Sequence, residues 1–411
     1  MAAALERRWL AATIALAVVA SSAACASDDA PAGSARDAGT DRGTGAGSAT
    51  GGTGGTGGSG GSEPDGAPMP LPRLDALPPG WTTLRPGGDT LCAHGTPFQF
   101  FVRPGTVNRV LIEFSGTGAC WDEASCRAGS GLYRDNANAE LFILDEDAAT
   151  GVRNHKDARN PFKDWHHVYV PGCSGSGHWG DATITYGTGS DSFTVYFKGT
   201  ANSRAVLAWI FDNIASPEKA FVTGCSGGSF GSLVWSPHVR EHYGAATKVY
   251  QFADSGVGIV PDSFAEQSYP QWNTRDAYPT FIPHESISDF EPLTNMYAMV
   301  GAYFPDMFLS IFTPHADGEQ YKYYQLFGGG TITEWTALMN ECVSKVQTST
   351  PQFRSFIAPG AYHCILPYPN FYTVESGGMK IVDWLTQVVL DQPVSNLTCG
   401  DQCDAQAAAA R

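Results

Sequence analysis

The tetrapeptide Gly-Cys-Ser-Gly occurs twice, at residues 172–175 and 224–227. A serine set among small residues can act as a nucleophile where the chain turns sharply from a strand into a helix. Only the second copy continues as Gly224-Cys225-Ser226-Gly227-Gly228, with glycine two residues to either side of the serine; the first has Ser176 in the fifth place. Those glycines matter because side chains beside so tight a turn would collide. Downstream of Ser226, SFGSLVWSPHVREHY can form a helix whose N-terminus faces the serine and favours developing negative charge. Downstream of Ser174 the chain is Gly-rich and β-branched, GHWGDATITYGTGS, and offers no such helix. Ser226 is the candidate nucleophile and Ser174 its rival; the alternative for either is a tight turn with a solvated hydroxyl.

A serine nucleophile needs a base, and the base an orienting acid. His363, in APGAYHC after the apolar run FRSFIA, stands near the C-terminus, where the order Ser, Asp, His of strand-to-helix hydrolases puts the base. His315, in TPHADGEQ, is the main rival. His166, His167 and His178 precede the serine and read as surface or loop histidines. For the acid, Asp317 and Glu319 follow FLSIFT, and Asp254 follows KVYQFA. Asp317 fits the strand order better; Asp254 reads otherwise as a turn-capping aspartate. Oxyanion donors are expected from the N–H of Gly227 and from the small-residue loop Ser115-Gly116-Thr117-Gly118-Ala119-Cys120-Trp121 after RVLIEF.

These residues fall at the ends of short apolar runs: residues 98–103, 109–114, 167–170, 220–223, 248–253, 308–313 and 353–358. Helical patterns over residues 202–214 and 230–243 lie between some of them. Strands alternating with amphipathic helices predict an α/β fold, α/β-hydrolase-like, with a mainly parallel central sheet flanked by helices. Functional groups then belong in the loops at the strands' C-terminal ends.

The first 26 residues read as a signal peptide: Arg7 and Arg8, an apolar run over residues 10–20, then small residues, with Ser22-Ala23-Ala24-Cys25 as a loose lipoprotein cleavage pattern. Residues 27–72 form a Gly/Ser/Thr-rich linker with little to bury, and residues 73–411 are expected to be a single catalytic domain. Acidic residues outnumber basic ones 41 to 25, giving a net charge of −16. Such a surface repels nucleic acid and anionic headgroups, so no nucleic-acid partner is expected, and contact with a membrane only through a lipid on Cys25.

Ten cysteines fit an oxidising compartment. With Cys25 in the leader and Cys225 expected to be free and buried, eight remain for four bridges. Cys120–Cys126 would fix the oxyanion loop; Cys364 is expected to pair with Cys399 or Cys403, and Cys342 with the other. Zinc is disfavoured because Cys120, Cys126, Cys399 and Cys403 lack histidines at finger spacing. No metal or cofactor is expected, and the chain should be monomeric.

Assembled in order, these motifs resemble the pectin acetylesterase family, which includes the Notum-type carboxylesterases. Its glycine loop is similar to Gly116-Thr117-Gly118-Ala119-Cys120, and its Tyr-Cys-Asp-Gly block with a downstream Gly-Asp to Gly172-Cys173-Ser174-Gly175 and Gly180-Asp181. Its Phe-Arg-Gly stretch is similar to Phe197-Lys198-Gly199, its nucleophile block to residues 224–228, and its Asp-Ala-Gly to Asp254-Ser255-Gly256. Asp317-Gly318-Glu319-Gln320 and His363-Cys364 complete the set. The resemblance implies Ser226 as nucleophile, His363 as base, Asp317 as orienter and an oxyanion hole from Gly118, Ala119 and Gly227. It makes the first Gly-Cys-Ser-Gly a structural loop. Ala119 stands where the family has a large aromatic and Gly227 where it has alanine, which bears on the acyl pocket. The implied reaction is removal of O-acetyl groups from a carbohydrate through an acyl-enzyme. The alternatives are hydrolysis of longer acyl esters or an inactive glycan-binding lipoprotein; a pectin lyase would want a basic cluster that the sequence lacks.

Overall fold

A computed structural model describes residues 70–283 and 293–403. The expected signal peptide and nearly all of the linker lie outside the described residues. The strands are β1 (Thr82–Leu84), β2 (Phe100–Arg103), β3 (Val107–Phe114), β4 (Trp165–Val170), β5 (Ala182–Tyr186), β6 (Phe193–Phe197), β7 (Lys219–Cys225), β8 (Lys248–Asp254), β9 (Phe308–Pro314), β10 (Phe353–Ala358), β11 (Glu375–Ser376), β12 (Met379–Lys380) and β13 (Leu397–Thr398). Nine of them form one sheet in the order β1-β2-β4-β3-β7-β8-β9-β10-β13, while β5–β6 and β11–β12 pair as separate hairpins. From β4 to β13 every pairing is parallel; β1–β2 and β2–β4 are antiparallel. The mainly parallel sheet is thus present, with an antiparallel edge that the apolar runs did not reveal.

Side-chain alternation explains why the central strands read as unbroken apolar runs: both faces are covered. On β7, Ala220 and Val222 join one core and Phe221 the other; on β8, Val249 and Ala253 oppose Tyr250 and Phe252. The first core is closed by α2 (Gly199–Asn213), α3 (Gly227–Tyr243), α5 (Leu293–Tyr303) and α7 (Ile332–Ser349), the second by α8 (Ile381–Val389), whose Trp384 and Leu385 are fully buried. Full burial of side chains of this size contributes about 1.5–3 kcal/mol each. The remaining helices, α1 (Glu123–Cys126), α4 (Asp262–Trp272) and α6 (Gly318–Leu326), lie in connections beyond strand C-termini. Among the described residues no helix is long and apolar enough to cross a membrane.

Candidate active site

Ser226 is the one residue between β7 and α3, and its φ of 57° and ψ of −123° are unusual for a residue with a side chain. The backbone around it leaves no space for substitution. A Cβ on Gly224 would stand 2.2 Å from the carbonyl oxygen of Gly228, and one on Gly228 2.2 Å from that of Phe114. The turn is fixed by the Ser226 N–H donating to Asp254 O at 2.8 Å and by the Ser229 hydroxyl, which reaches Gly224 O and Asp254 O at 2.9 Å each.

Asp317 caps the N-terminus of α6. Its Oδ1 accepts from the N–H groups of Glu319 and Gln320, and its Oδ2 from the Gln320 side-chain amide at 3.0 Å. The same buried carboxylate meets Nδ1 of His363 at 2.9 and 3.0 Å. Burial pushes the His363 pKa down, but the hydrogen bond and charge of Asp317 outweigh it, and the net shift is upward. Nε2 of His363 is buried without a hydrogen-bond partner, so the ring holds one nitrogen oriented and the other available.

A disulfide between Cys225 and Cys364 joins the residue before Ser226 to the residue after His363, with Cα atoms 5.7 Å apart. This corrects the expectation that Cys225 is a free thiol and that Cys364 pairs near the C-terminus. Cys399 bonds to Cys403 instead, so Cys342, itself disulfide-bonded, pairs with neither. The reason is topological: the loop after β10 reaches back across the ends of β9 and β8 to β7, a proximity that residue spacing does not carry. Cys120–Cys126 is present as expected, and Cys92–Cys173 is a further bridge.

Asp254 does other work than orient a histidine. Its buried carboxylate accepts the N–H groups of Ile365 at 3.0 Å and Leu366 at 2.9 Å, while the Ser255 hydroxyl takes that of Cys364. It therefore anchors the loop that carries His363. Burial raises its pKa to about 7 against the opposing pull of those N–H groups.

The rival histidines are placed elsewhere. His315 has a ring nitrogen within 4.8 Å of both sulfurs of Cys399–Cys403. His166 accepts from Gly105 N, His167 pairs with Glu113 at 2.9 Å, and His178 binds Ser115 O at 2.8 Å with its pKa pushed to about 4 by burial. Among the described residues the two candidate metal groups, Cys225–His363–Cys364 and His315–Cys399–Cys403, have their sulfurs committed to disulfides and so present no thiolates.

Beside Ser226 lies a hollow of about 70 Å³, lined among others by Gly118, Gly227, Phe230, Ile259, Tyr323 and Phe327. The N–H groups of Gly118 and Gly227 are not committed to backbone partners, whereas that of Ala119 donates to Leu132 O at 3.2 Å. Of the three expected oxyanion donors, two are open to a ligand and Ala119 is already engaged. Gly118 has φ +63°, and a Cβ on it would strike Leu132 O at 2.1 Å, so only glycine presents its N–H here.

A family profile, Pectinacetylesterase, matches residues 85–309. The chain belongs to the pectinacetylesterase family. Pectin acetylesterase 5 of Arabidopsis thaliana is 26% identical over 155 residues, 37% of this chain and 35% of the relative. Pectin acetylesterase 4 of the same plant is 24% identical over 151 residues, 36% of each chain. The match spans about a third of the length of these curated relatives. Among solved structures, the Wnt deacylase Notum from Drosophila, in two crystal forms, aligns with TM-scores of 0.54 and 0.56 at 15% identity. The alignments cover 79% and 78% of this chain and 98% and 96% of Notum, a likeness of fold.

Against the pectinacetylesterase pattern, the two departures now have physical accounts. A Cβ on Gly227 would stand 2.2 Å from Oγ1 of Thr117, so the threonine in the glycine loop occupies the space that an alanine methyl would need. Near Ala119, Tyr323 of α6 reaches in and donates its hydroxyl to Leu132 O, so an aromatic ring arrives from another element. The first Gly-Cys-Ser-Gly supports the glycine loop after β3. Ser174 is buried, Gly172 N donates to the Ser115 hydroxyl at 2.8 Å, and Cys120 N donates to Gly175 O at 3.0 Å.

Proposed function

We propose that the protein is an exported serine carboxylesterase that removes O-acetyl groups from a carbohydrate through an acyl-enzyme. The observation that carries this reading is the buried Asp317–His363 pair, with Nε2 unengaged, whose loop Cys225–Cys364 ties to the residue before the strained Ser226. In this reading Nε2 takes the Ser226 proton as Oγ attacks the ester carbonyl. Nδ1–H stays on Asp317, which stabilises the imidazolium that forms. The N–H groups of Gly118 and Gly227, with the positive end of α3, receive the oxyanion. Nε2 then protonates the leaving alcohol, and a water activated by the same nitrogen releases the acid and restores Ser226. Carboxylate, imidazole and hydroxyl suffice for each proton transfer.

The acyl side favours acetate. The hollow of about 70 Å³ is walled by Phe230, Tyr323, Phe327 and Trp335, and it offers a small acyl group an apolar seat. Export is supported by the described disulfides and the N-terminal reading.

The test is turnover of 4-nitrophenyl acetate with a pre-steady-state burst. Ser226→Ala should lower kcat on the order of 10⁶-fold in a folded protein, and Ser174→Ala should keep the burst. A Ser226→Ala protein that still turns over acetate removes the proposal.

A further inference from the structure

An ester has two ends, and the 70 Å³ hollow accommodates only the acyl end. Next to the nucleophile turn lies a second hollow of about 350 Å³, within the usual size range of small-molecule sites. It borders the turn at Gly116 and Cys225. Gly116 has no side chain to close it off: a Cβ there would stand 3.4 Å from Cβ of Ser226. The rim of this hollow therefore adjoins Ser226.

Its exposed apolar side chains mark it as built for a ligand. Seven large apolar side chains are exposed among the described residues. Two of them, Phe142 and Tyr368, stand in the wall, each about half exposed, and Leu141 and Leu144 adjoin Phe142 in the 3₁₀ segment Ala137–Leu144. Exposed apolar side chains scattered singly need no explanation, but aromatic rings left open in the wall of a cleft do. Glu140 in the same wall is 1% exposed. Its Oε2 accepts the Tyr169 hydroxyl at 2.6 Å, and its Oε1 is ion-paired with Arg134 Nη1 at 3.0 Å.

The charges select the ligand. Arg134 and Arg153 line the hollow, but so do Glu140 and Asp145. Behind them the buried Glu113 accepts three hydrogen bonds from Nε and Nη2 of Arg153, the closest at 2.6 Å. Burial would raise the Glu113 pKa, but Arg153 and His167 together bring it down to about 2, so it is ionised. Three carboxylates against two guanidiniums leave no net positive charge for an incoming anion. Exposed aromatic faces beside charges that are already paired suit the C–H faces and hydroxyls of an uncharged sugar.

We infer that this hollow holds the sugar ring of the released alcohol, and that it takes a neutral sugar of an O-acetylated polysaccharide in preference to a uronate. This rests on the esterase reading for its orientation, but binding tests it separately. In Ser226→Ala, calorimetric titration with acetylated xylo-oligosaccharide should show binding that Phe142→Ala or Tyr368→Ala, added singly, weakens roughly tenfold. In the active protein the same substitutions should raise KM for that oligosaccharide by a similar factor and leave 4-nitrophenyl acetate turnover unchanged. Acetylated oligogalacturonide should be the poorer ligand and substrate. The inference is overturned if the galacturonide is preferred, if neither aromatic substitution weakens binding in a folded protein, or if both substitutions slow 4-nitrophenyl acetate as much as the oligosaccharide. Binding without any acetate turnover in the unsubstituted protein would leave the subsite standing and remove the esterase reading.

Discussion

Cys225 and Cys364 are bonded to each other across 139 residues, and each adjoins a functional candidate, Ser226 in one case and His363 in the other. The bridge is therefore a distance constraint between the proposed nucleophile and the proposed base. Replacing both cysteines by serine should cost about 2–4 kcal/mol of stability. It should also lower kcat for 4-nitrophenyl acetate under conditions where circular dichroism shows the fold intact. Urea melts and rates on one preparation decide this; undiminished kcat in the double variant would deny the bridge a positioning role.

The two aspartates should separate cleanly. Asp317→Asn changes the hydrogen-bonding of Nδ1 and should reduce turnover on the order of 10⁴-fold with little effect on melting. Asp254→Asn keeps an acceptor oxygen for the loop and should remain active. If Asp254→Asn in a folded protein is the inactive variant, the triad must be redrawn.

Asp254→Ala is a stability variant. It strips the acceptor from the buried N–H groups of Ile365 and Leu366, each costing about 1–3 kcal/mol when left unpaired. Urea denaturation should show a loss of about 2–6 kcal/mol for the two together, well beyond that of Asp254→Asn.

The pH profile follows from His363. Its pKa is raised above the ordinary value of about 6.5, and the base works when neutral. The acid limb of kcat/KM should therefore lie above pH 6.5, with the rate rising as pH climbs through the folded-state value. The stability that protonated His363 gains from Asp317 runs the other way: full below the unfolded value, lost as pH rises through the folded one. Asp317→Asn should move the limb down, and a limb that stays put would separate the two residues functionally.

Thr117 and Gly227 form an exchangeable pair. Gly227→Ala alone should impair turnover because the new methyl meets Thr117 Oγ1. Thr117→Gly added to it should restore activity to near the starting level, a coupling that a double-mutant cycle measures. No rescue would mean that the alanine acts on the oxyanion donor directly.

The legible parts of the fold were those fixed by local chemistry. KVYQFA and FRSFIA read as strands because a parallel strand buried on both faces must be apolar throughout. Gly224 and Gly228 marked the turn because backbone carbonyls of neighbouring segments stand where a Cβ would be. The hairpin β5–β6 escaped notice: residues 182–186 alternate with threonines, and Thr183 and Thr185 face out. The partner of Cys225 was equally hidden, since it depends on a loop crossing two strands. Asp254 looked like a plain turn cap; that it caps a segment 111 residues away is a tertiary fact. The Leu132 carbonyl that engages the Ala119 N–H left no trace in the local motif.

The nine-residue helix α6 begins at the carboxylate that orients His363 and carries Tyr323 one side-chain length from the acyl hollow, with Phe327 closing its end. In the proposed reading, acyl selectivity and the aim of the general base sit on one helix. Phe230 lines the same seat from α3, an element that does not bear the cap, whereas the loop that carries Ile259 is bonded to it: Val257 N–H donates to the Gln320 side chain, whose amide donates to Asp317. Phe230 is therefore the position where this lineage, or an engineer, can change acyl length from outside the proton relay.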